Sequence, residues 1–384
     1  MVNTPELDRS PCGHLVPTVE GFKAFVPNPL PRELPLSSPL ISALDKASLA
    51  VGTLAGVGET LQNPHLLITP FLRREAVLSS RIEGTQASIS DVFIFEAGGE
   101  RADAPDTREV VNYVHALNLG LERLNELPIC VRLTNEVHAR LMHGVRGEDR
   151  TPGQLREHQN WIGTRGTNIE DARFIPPPPE LVSDLMADWE RFVNEDLEMP
   201  ALIQCALMHY QFEAIHPYLD GNGRIGRLLI TLFLCAREVL PTPLLYLSAY
   251  FDKRRDDYIN HLFRVSATGE WEPWITFFLR GVEQQARDAL IRSRRVRELH
   301  QRYVQLLQSK RESANALRLL DILFANPYVT APRASEALGV THAGAQGILN
   351  RLVRAGVLEH VSGRWPRLYV ARELLRVIEV PIAA

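Results

Sequence analysis

The amino-acid sequence predicts an all-α protein with one small β-hairpin and a compact C-terminal module. From Ser38 onwards, apolar residues recur every three or four positions through most of the 384 residues, which is the spacing of one buried helix face. Residues 159–179 interrupt this pattern, because glycine, asparagine and aspartate separate short apolar pieces there. Hydrophobic residues make up 45% of the chain, and a chain of this length buries a large core in about two or three domains.

The proline-rich residues 1–36 lack periodicity and predict a loosely packed arm. Beyond them, helices are predicted at 38–62, 70–81, 107–127, 134–142, 180–195, 200–215, 226–238, 256–268 and 274–310. Residues 161–176 predict a β-hairpin, which four prolines then terminate as a polyproline segment. The chain divides into an arm (1–36), an N-terminal helical region (37–106), a core (107–285), a linker helix (286–312) and a C-terminal module (313–384).

The net charge of −4 is unevenly distributed, because residues 281–384 carry 16 basic and 9 acidic side chains. A basic segment on an acidic body indicates a module with an anionic partner. No apolar run reaches the roughly 18 residues that span a bilayer, and no secretory signal marks the N-terminus. Four scattered cysteines predict free thiols. These features predict a cytoplasmic protein with no membrane partner.

The twelve residues from His216 to Arg227, HPYLDGNGRIGR, carry the chemistry. His216 titrates near neutral pH and suits a general base. Asp220 is a hard oxygen ligand of the kind that Mg²⁺ prefers. Gly221, Asn222 and Gly223 let backbone N–H groups converge at a helix start, which makes an anion cradle.

Two arginines complete the set, because Arg224 and Arg227 are neighbours on one helix surface and their forked donors suit phosphate oxygens. A base, a metal ligand, a phosphate cradle and two arginines within twelve residues predict phosphoryl or nucleotidyl transfer.

Two other interpretations of the same residues are weaker. The glycines of this run match GxGxxG, but a dinucleotide site requires a preceding strand, and residues 200–215 predict a helix. His209, Glu213 and His216 lie on one helix face and could hold zinc, yet the HExxH spacing and an obvious further ligand are missing.

The run resembles the signature of the Fic family, usually HPFxxGNGRxxR, with Tyr218 in place of the usual phenylalanine. The surrounding YQFEAIHPYLDGNGRIGRLL, the upstream PPPP and the downstream LYLSAYF also fit, so the resemblance covers roughly residues 40–285. It implies a Fic-type helical core in which the signature lies between two helices, and it identifies the hairpin as the family's flap.

The resemblance implies a protein adenylyltransferase that moves AMP from ATP to a hydroxyl group and releases pyrophosphate. His216 would be the general base, and Asp220 would hold Mg²⁺ against the phosphates. Tyr250 and Tyr258 would line the adenine pocket. The residues that would bind the nucleotide in the signature are Gly221, Asn222, Gly223, Arg224, Ile225, Gly226 and Arg227.

A second motif, Ser79 to Gly84, resembles the inhibitory SxxxEG motif of many Fic proteins. There, Glu83 would pair with Arg227 and take the place of the γ-phosphate, so that ATP binds unproductively. The same Glu83 could instead position a water that removes AMP from modified targets.

The resemblance also assigns partners. A target protein, or this chain itself, would add an extended segment to the flap as a strand. The segment PRASEALGVTHAGAQGILNRLVRAGVLEHV resembles a winged helix-turn-helix, which implies either DNA binding or homodimerisation. The side chains that would contact DNA are His342, Gln346, Asn350, Arg351 and Arg354 on the second helix and Arg364 and Arg367 on the wing.

Two further functions stay open. The enzyme could transfer another phosphate-containing group, such as UMP or phosphocholine. Alternatively, the chain could be a DNA-binding regulator whose core acts as a sensor, although the intact motif argues against a silent core.

Overall fold

The fold is described from a computed structural model, which covers residues 6–59, 65–98, 105–163, 168–363 and 366–379. Most of these residues are helical, which confirms the predicted all-α class. The helices are α1 Ser38–Glu59, α2 His65–Ile82, α3 Ile89–Glu96, α4 Pro105–Arg123, α5 Val131–Met142, α6 Pro179–Asn194, α7 Ala201–Ile215, α8 Asn222–Ala236, α9 Ser248–Lys253, α10 Arg255–Thr268, α11 Trp271–Ser309, α12 Ala314–Ala325, α13 Ala331–Leu338, α14 His342–Arg354 and α15 Arg372–Glu379. The strands are β1 Gly13–Pro17, β2 Lys23–Pro27, β3 Tyr328–Thr330, β4 Glu359–Val361 and β5 Leu368–Val370.

The N-terminal segment is packed rather than loose, so the prediction of a loosely packed arm is wrong. Strands β1 and β2 form an antiparallel hairpin, and Ala24 and Phe25 are fully buried. The Phe25 N–H donates to the Ile175 carbonyl over 2.8 Å, which joins the hairpin to the segment preceding α6. Periodicity over the arm as a whole concealed this hairpin because each strand has only five residues.

Helix α7 lies at the centre of the core, and nearly all of its residues are buried. A helix that is apolar all round must be covered on every side, and α6, α8, α10, α11 and β2 cover this one. Two buried indoles anchor it, because Trp189 and Trp274 donate to the carbonyls of Met208 and Ala206. The C-terminus of α7 and the N-terminus of α8 therefore meet inside a rigid framework.

The flap differs from the prediction in detail. Its described residues contain a single antiparallel bridge, between Ile162 and Phe174, instead of a regular two-stranded ladder. Residues 164–167 of the predicted hairpin lie outside the described part of the chain. A three-residue 3₁₀ turn at Ile169–Asp171 takes up much of the return arm. The prolines that follow lead directly into α6.

The N-terminal helical region contains one helix that the sequence analysis missed. The eight-residue α3 starts with a capping box, in which Ser88 accepts from the Asp91 N–H and Asp91 accepts from the Ser88 N–H. Helix α1 packs along α11 through its buried face. Helix α1 is long and apolar enough to cross a bilayer, with a mean hydropathy of 1.4. Core helices of soluble proteins meet the same criterion of length and composition.

The C-terminal module folds as α12, β3, α13, α14, β4, β5 and α15, with a three-stranded antiparallel sheet in the order β3-β5-β4. It packs against α2 and α3, where Asn326 donates to the Phe93 carbonyl over 2.9 Å and Thr330 donates to the Ala97 carbonyl over 3.1 Å. Helix α11 passes without a break across residues 285 and 286 and ends where the module starts.

The predicted DNA-contacting residues take different positions on this module. His342, Asn350, Arg354 and Arg367 are exposed. Gln346 donates to the Tyr369 hydroxyl and to the Asn350 side chain. Arg351 is ion-paired with Glu312 at 2.9 Å, and Arg364 lies outside the described residues.

Candidate active site

The candidate site is built around the turn between α7 and α8. His216 ends α7 with φ 51° and ψ 61°, the left-handed region that costs a residue with a side chain about 1–2 kcal/mol. Gly221, at φ 79°, turns the chain into α8. A strained non-glycine residue in a buried turn persists only where its surroundings determine it, and such residues cluster at functional sites.

The His216 ring is prepared to accept a proton. Its Nδ1 lies 3.3 Å from the Glu213 carbonyl oxygen, so Nδ1–H donates there and Nε2 remains as the acceptor. Burial, followed by the positive charge of Arg156, lowers the His216 pKa to about 4. The imidazole is therefore neutral near pH 7, which is the state that a general base requires.

Hydrogen bonds within the turn determine its shape. The Asn222 side chain accepts from the Tyr218 N–H at 2.8 Å and donates to the Tyr218 carbonyl at 2.7 Å. The Asn160 amide also donates to the carbonyls of Tyr218 and His216. Asn222, which the sequence analysis assigned to the nucleotide, thus has a loop-closing role as well.

One face of α5 supports the turn from the other side. The His138 ring stacks on Tyr218 with centroids 3.8 Å apart. Its Nδ1 accepts from the Gly153 N–H at 2.8 Å, so its Nε2–H donates to the Asp220 carbonyl at 3.0 Å. One helical turn earlier, Asn135 accepts from the Tyr218 hydroxyl at 2.8 Å. The hydroxyl group that distinguishes Tyr218 from the usual phenylalanine thus has a hydrogen-bond partner.

Asp220 fits its predicted role as the metal ligand. Its side chain is 43% exposed, and its Oδ1 accepts from the Gly221 N–H at 2.6 Å. Among the described residues no group of three histidine, cysteine, aspartate or glutamate side chains could hold a metal ion. A single carboxylate that shares the ion with substrate phosphates is the usual arrangement for Mg²⁺.

The two signature arginines are both buried, although their environments differ. Arg224 forms two long ion pairs, with Glu109 and Asp220 at 3.5 Å each, and its Nε has no hydrogen-bond partner among the described residues. The Nε–H of Arg224 therefore remains available to an acceptor. Glu109, on α4, was not among the site residues predicted from the sequence.

Arg227 is held firmly by the C-terminal part of α2. Its Nε donates to Ser79 Oγ at 2.9 Å, and its Nη2 donates to the Ser79 carbonyl at 2.9 Å and to Glu83 Oε1 at 2.7 Å. The ion pair with Glu83 is the contact that the inhibitory motif implies.

The Glu83 carboxylate lies over the start of α8. A Cβ added to Gly223 would come 2.3 Å from Glu83 Oε1, so glycine is required there while the carboxylate is in place. Burial alone would raise the Glu83 pKa, but the charge of Arg227 and its hydrogen bond keep that pKa below its usual value. Arg224 lowers it further, and the Glu83 Oε1 that bonds to Arg227 is the same atom that lies above Gly223.

The remaining signature residues and the predicted adenine-pocket tyrosines are buried. Ile225 is in the hydrophobic core, and Gly226 packs against Glu213 and His209 at the α7–α8 crossing. Tyr258 donates to His209 Nε2 at 2.8 Å, and Tyr250 packs against Gly281.

The hydrogen bonds of His209 argue against the zinc interpretation, because they leave no ring nitrogen for a metal. Its Nδ1 lies 3.0 Å from the Gly226 carbonyl and its Nε2 accepts from Tyr258, so both nitrogens are engaged. Glu213 has a buried Oε1 without a hydrogen-bond partner among the described residues, and burial raises its pKa to about 7.

Sequence reasoning missed the residues that hold the turn from outside the signature: Arg156, Asn160, His138, Asn135 and Glu109. No local signal marks them, because each is an isolated polar residue in a loop or on a helix, 56 to 115 positions before its partner in the 216–227 run.

Two family profiles match the chain. Residues 41–122 match the Fic/DOC family N-terminal region, and residues 128–234 match the Fic/DOC family. The protein adenylyltransferase Fic of Drosophila erecta is 25% identical over 173 residues, which is 43% of this chain and 31% of that protein. Its counterpart in Drosophila persimilis is 24% identical over 231 residues, or 58% and 41%. The chain thus spans less than half the length of these curated relatives.

Solved structures show the same fold. A Fic family protein from Desulfovibrio desulfuricans superposes with a TM-score of 0.57 at 20% identity, covering 88% of this chain and 97% of that one. Fic-1 from C. elegans gives a TM-score of 0.51 at 22% identity, covering 66% and 74%. A Fic domain containing signaling protein from Bacteroides thetaiotaomicron gives 0.52 at 18% identity, covering 66% and 96%.

Proposed function

We propose, from the premise that this chain belongs to the Fic/DOC family, that it is a protein adenylyltransferase. Its substrates are ATP and a hydroxyl side chain of a target protein or of the chain itself. The observation that carries the proposal is the placement of His216 at the turn that leads into α8, with the Glu83 carboxylate on Arg227 and above Gly223 at the start of that helix.

In the proposed reaction, His216 Nε2 takes the proton from the attacking hydroxyl. The hydroxyl oxygen forms a bond to the α-phosphorus of ATP while the bond from that phosphorus to the bridging oxygen breaks, and pyrophosphate leaves. The N–H groups at the start of α8, together with Arg224 and Arg227, stabilise the charge on the phosphates.

Asp220 is the residue that would hold Mg²⁺, and the metal would neutralise charge on the α- and β-phosphates. Its exposed carboxylate supports this role. The His138 bond to the Asp220 carbonyl keeps the backbone of this ligand in a fixed position.

Glu83 inhibits the reaction in this proposal. Its carboxylate uses the Arg227 fork that the γ-phosphate requires, and it places negative charge beside the cradle. Ser79 also binds that arginine, through its Oγ and its carbonyl.

The proposed target docks on the flap as an added strand. The Ile175 carbonyl, at one side of the flap, already accepts a hydrogen bond from the Phe25 N–H of the N-terminal hairpin. The N–H and carbonyl of Ile162 are likewise engaged, with Phe174 and Arg173, so an added strand would pair with other backbone groups of the flap.

The test is labelling with α-³²P-ATP and Mg²⁺ in a cell lysate. We expect Glu83→Gly to raise labelling, including self-labelling, at least about tenfold, which corresponds to about 1.4 kcal/mol. The Glu83 side chain is 38% exposed, so solvent screening keeps the expected gain below that of a fully buried charge. Adding Arg227→Ala to this variant should lose most of the gain.

Arg81→Gly is the matched control, because it breaks the neighbouring Arg81–Asp252 ion pair at the same end of α2 without touching Arg227. It should leave labelling at the wild-type level. Equal or lower labelling by folded Glu83→Gly would contradict the inhibitory role, and stronger labelling from α-³²P-UTP would favour transfer of another nucleotide.

We also propose that the C-terminal module is a winged helix-turn-helix that binds DNA. The order of its helices and the β3-β5-β4 sheet support this, as does the exposure of His342, Asn350 and Arg354 along one side of α14. Homodimerisation through the same module is the competing outcome.

A further inference from the structure

Arg156 is a buried arginine just outside the candidate site. Its side chain is 2% exposed. Its Nε donates to the His216 carbonyl at 2.9 Å, and its other nitrogens donate to the carbonyls of Ile215, His158 and Pro177. Its own N–H donates to the Pro217 carbonyl at 2.9 Å. A single residue thus binds three consecutive carbonyls across the end of α7.

The positive charge of Arg156 has no ionic partner of the usual kind. Among the described residues, no carboxylate lies within 4.0 Å of it, and its hydrogen bonds go to backbone carbonyls. Carbonyls at a helix C-terminus carry partial negative charge, which favours a cation there. Burial lowers the Arg156 pKa to about 10, so the guanidinium stays charged at neutral pH.

These contacts of Arg156 lie at the strained backbone of His216. His216 has its left-handed backbone at the point where Arg156 and Asn160 both bind its carbonyl. Fixing that carbonyl fixes the peptide plane, and the direction in which the imidazole leaves the backbone follows from it. The bond to Pro177 connects the same guanidinium to the base of the flap.

We propose that Arg156 is the positioning residue for the base of this site: it holds His216 in the left-handed conformation that aims the imidazole, and it ties the base to the flap. This inference rests on the proposed function, in which His216 accepts the proton. Arg156 itself touches neither of the reacting groups.

The charge of Arg156 adds an electrostatic effect in the same direction. After burial, it is the largest cause that lowers the His216 pKa, whereas Glu83 and Asp220 raise that pKa and so does the bond to the Glu213 carbonyl. A lower pKa keeps the base unprotonated. Removing the charge should therefore raise the His216 pKa and move the acid limb of the pH–rate profile to higher pH.

The test compares two substitutions in a Glu83→Gly background. Arg156→Gln removes the charge and most donors, whereas Arg156→Lys keeps the charge but lacks the planar fork that bonds to four carbonyls. We expect Arg156→Gln to raise the His216 pKa by about one unit, and we expect both variants to lose at least about tenfold in kcat at saturating ATP. The pKa is measured by NMR of labelled histidine, with His216→Ala identifying the signal.

Arg237→Gln is the matched control, since Arg237 also donates to backbone carbonyls, those of Val193 and Glu195, away from the site. It should lower stability without changing kcat or the His216 signal. An unchanged His216 pKa and an unchanged kcat in Arg156→Gln or in the milder Arg156→Lys would overturn the proposal. Absence of labelling in every variant would count against the proposed activity, and the histidine titration would still decide the role of Arg156.

Discussion

The turn at His216 and the outer side of α14 differ in where their polar side chains find partners. In the turn, Asn222 binds the Tyr218 backbone and buried Arg156 binds the His216 carbonyl. On α14, by contrast, Asn350 and Arg354 are exposed, and the bonds that they make are to neighbouring residues of the same helix. The polar side chains of the turn are engaged within the chain, whereas those of α14 are exposed to solvent.

This difference teaches how each region responds to substitution. A change in the turn removes a buried hydrogen bond or a reacting group, so it alters stability, chemistry or both. A change on the exposed side of α14 should leave stability within about 0.5 kcal/mol and alter only the binding of a partner. Function is therefore better defined in the turn than in the C-terminal module.

The largest expected effect is at the base. His216→Ala in the Glu83→Gly background should reduce transfer by about 10²–10⁴, because a general base contributes that much. ATP binding and folding should remain nearly unchanged, since the imidazole acts on the acceptor hydroxyl. The measurements are labelling rate and ATP affinity by calorimetry, and transfer at the Glu83→Gly rate would show that the base lies elsewhere.

A smaller effect is expected for the C-terminal module. If Arg354 and Arg367 each contact one phosphate, DNA affinity should fall about tenfold between 50 and 200 mM salt. Arg354→Gln with Arg367→Gln should remove most of that salt dependence without lowering the melting temperature. Fluorescence anisotropy of the full chain with a labelled duplex measures the salt dependence, and thermal denaturation measures the melting temperature.

Arg302→Gln serves as the control for that experiment, because Arg302 is on α11 and paired with Glu373. It should leave the salt dependence as it is. A full chain that binds no duplex at 50 mM salt and sediments as a dimer would assign the module to homodimerisation.

The smallest expected effect concerns the residue that departs from the usual signature. Tyr218→Phe should lower the free energy of unfolding by about 1 kcal/mol, since it leaves Asn135 without its buried donor. The labelling rate should change little, because the ring still stacks on His138. Urea denaturation measures the stability, and a hundredfold loss of rate would mean that the hydroxyl takes part in the reaction.

Much of the fold could be predicted because helical periodicity is local. The ends of α4, α5, α7 and α10 lie close to the predicted ranges, since each presents a continuous apolar face. The misses were short elements: β1 and β2, α3, α9 and α15 have five to eight residues each. Over so few positions, burial by the rest of the chain decides the structure, and periodicity carries little information.

The residues of the candidate site also divide into those that local sequence predicts and those that only the folded chain brings there. The sequence by itself determined the chemical set of His216, Asp220, Arg224 and Arg227, because these residues lie within twelve positions on a turn and a helix whose geometry is local. The pairing of Glu83 with Arg227 was implied by a family motif, and the ion pair at 2.7 Å agrees with it.

Only the tertiary structure decided how that set is held. Arg156 and His138 lie 60 and 82 positions from the atoms that they bind, and a lone arginine or histidine in sequence shows nothing of the carbonyl it will meet. Burial then altered the chemistry, since it lowers the His216 pKa and keeps the imidazole neutral near pH 7. A pKa depends on solvent exclusion and on charges brought from distant parts of the chain, and these exist only once the chain has folded.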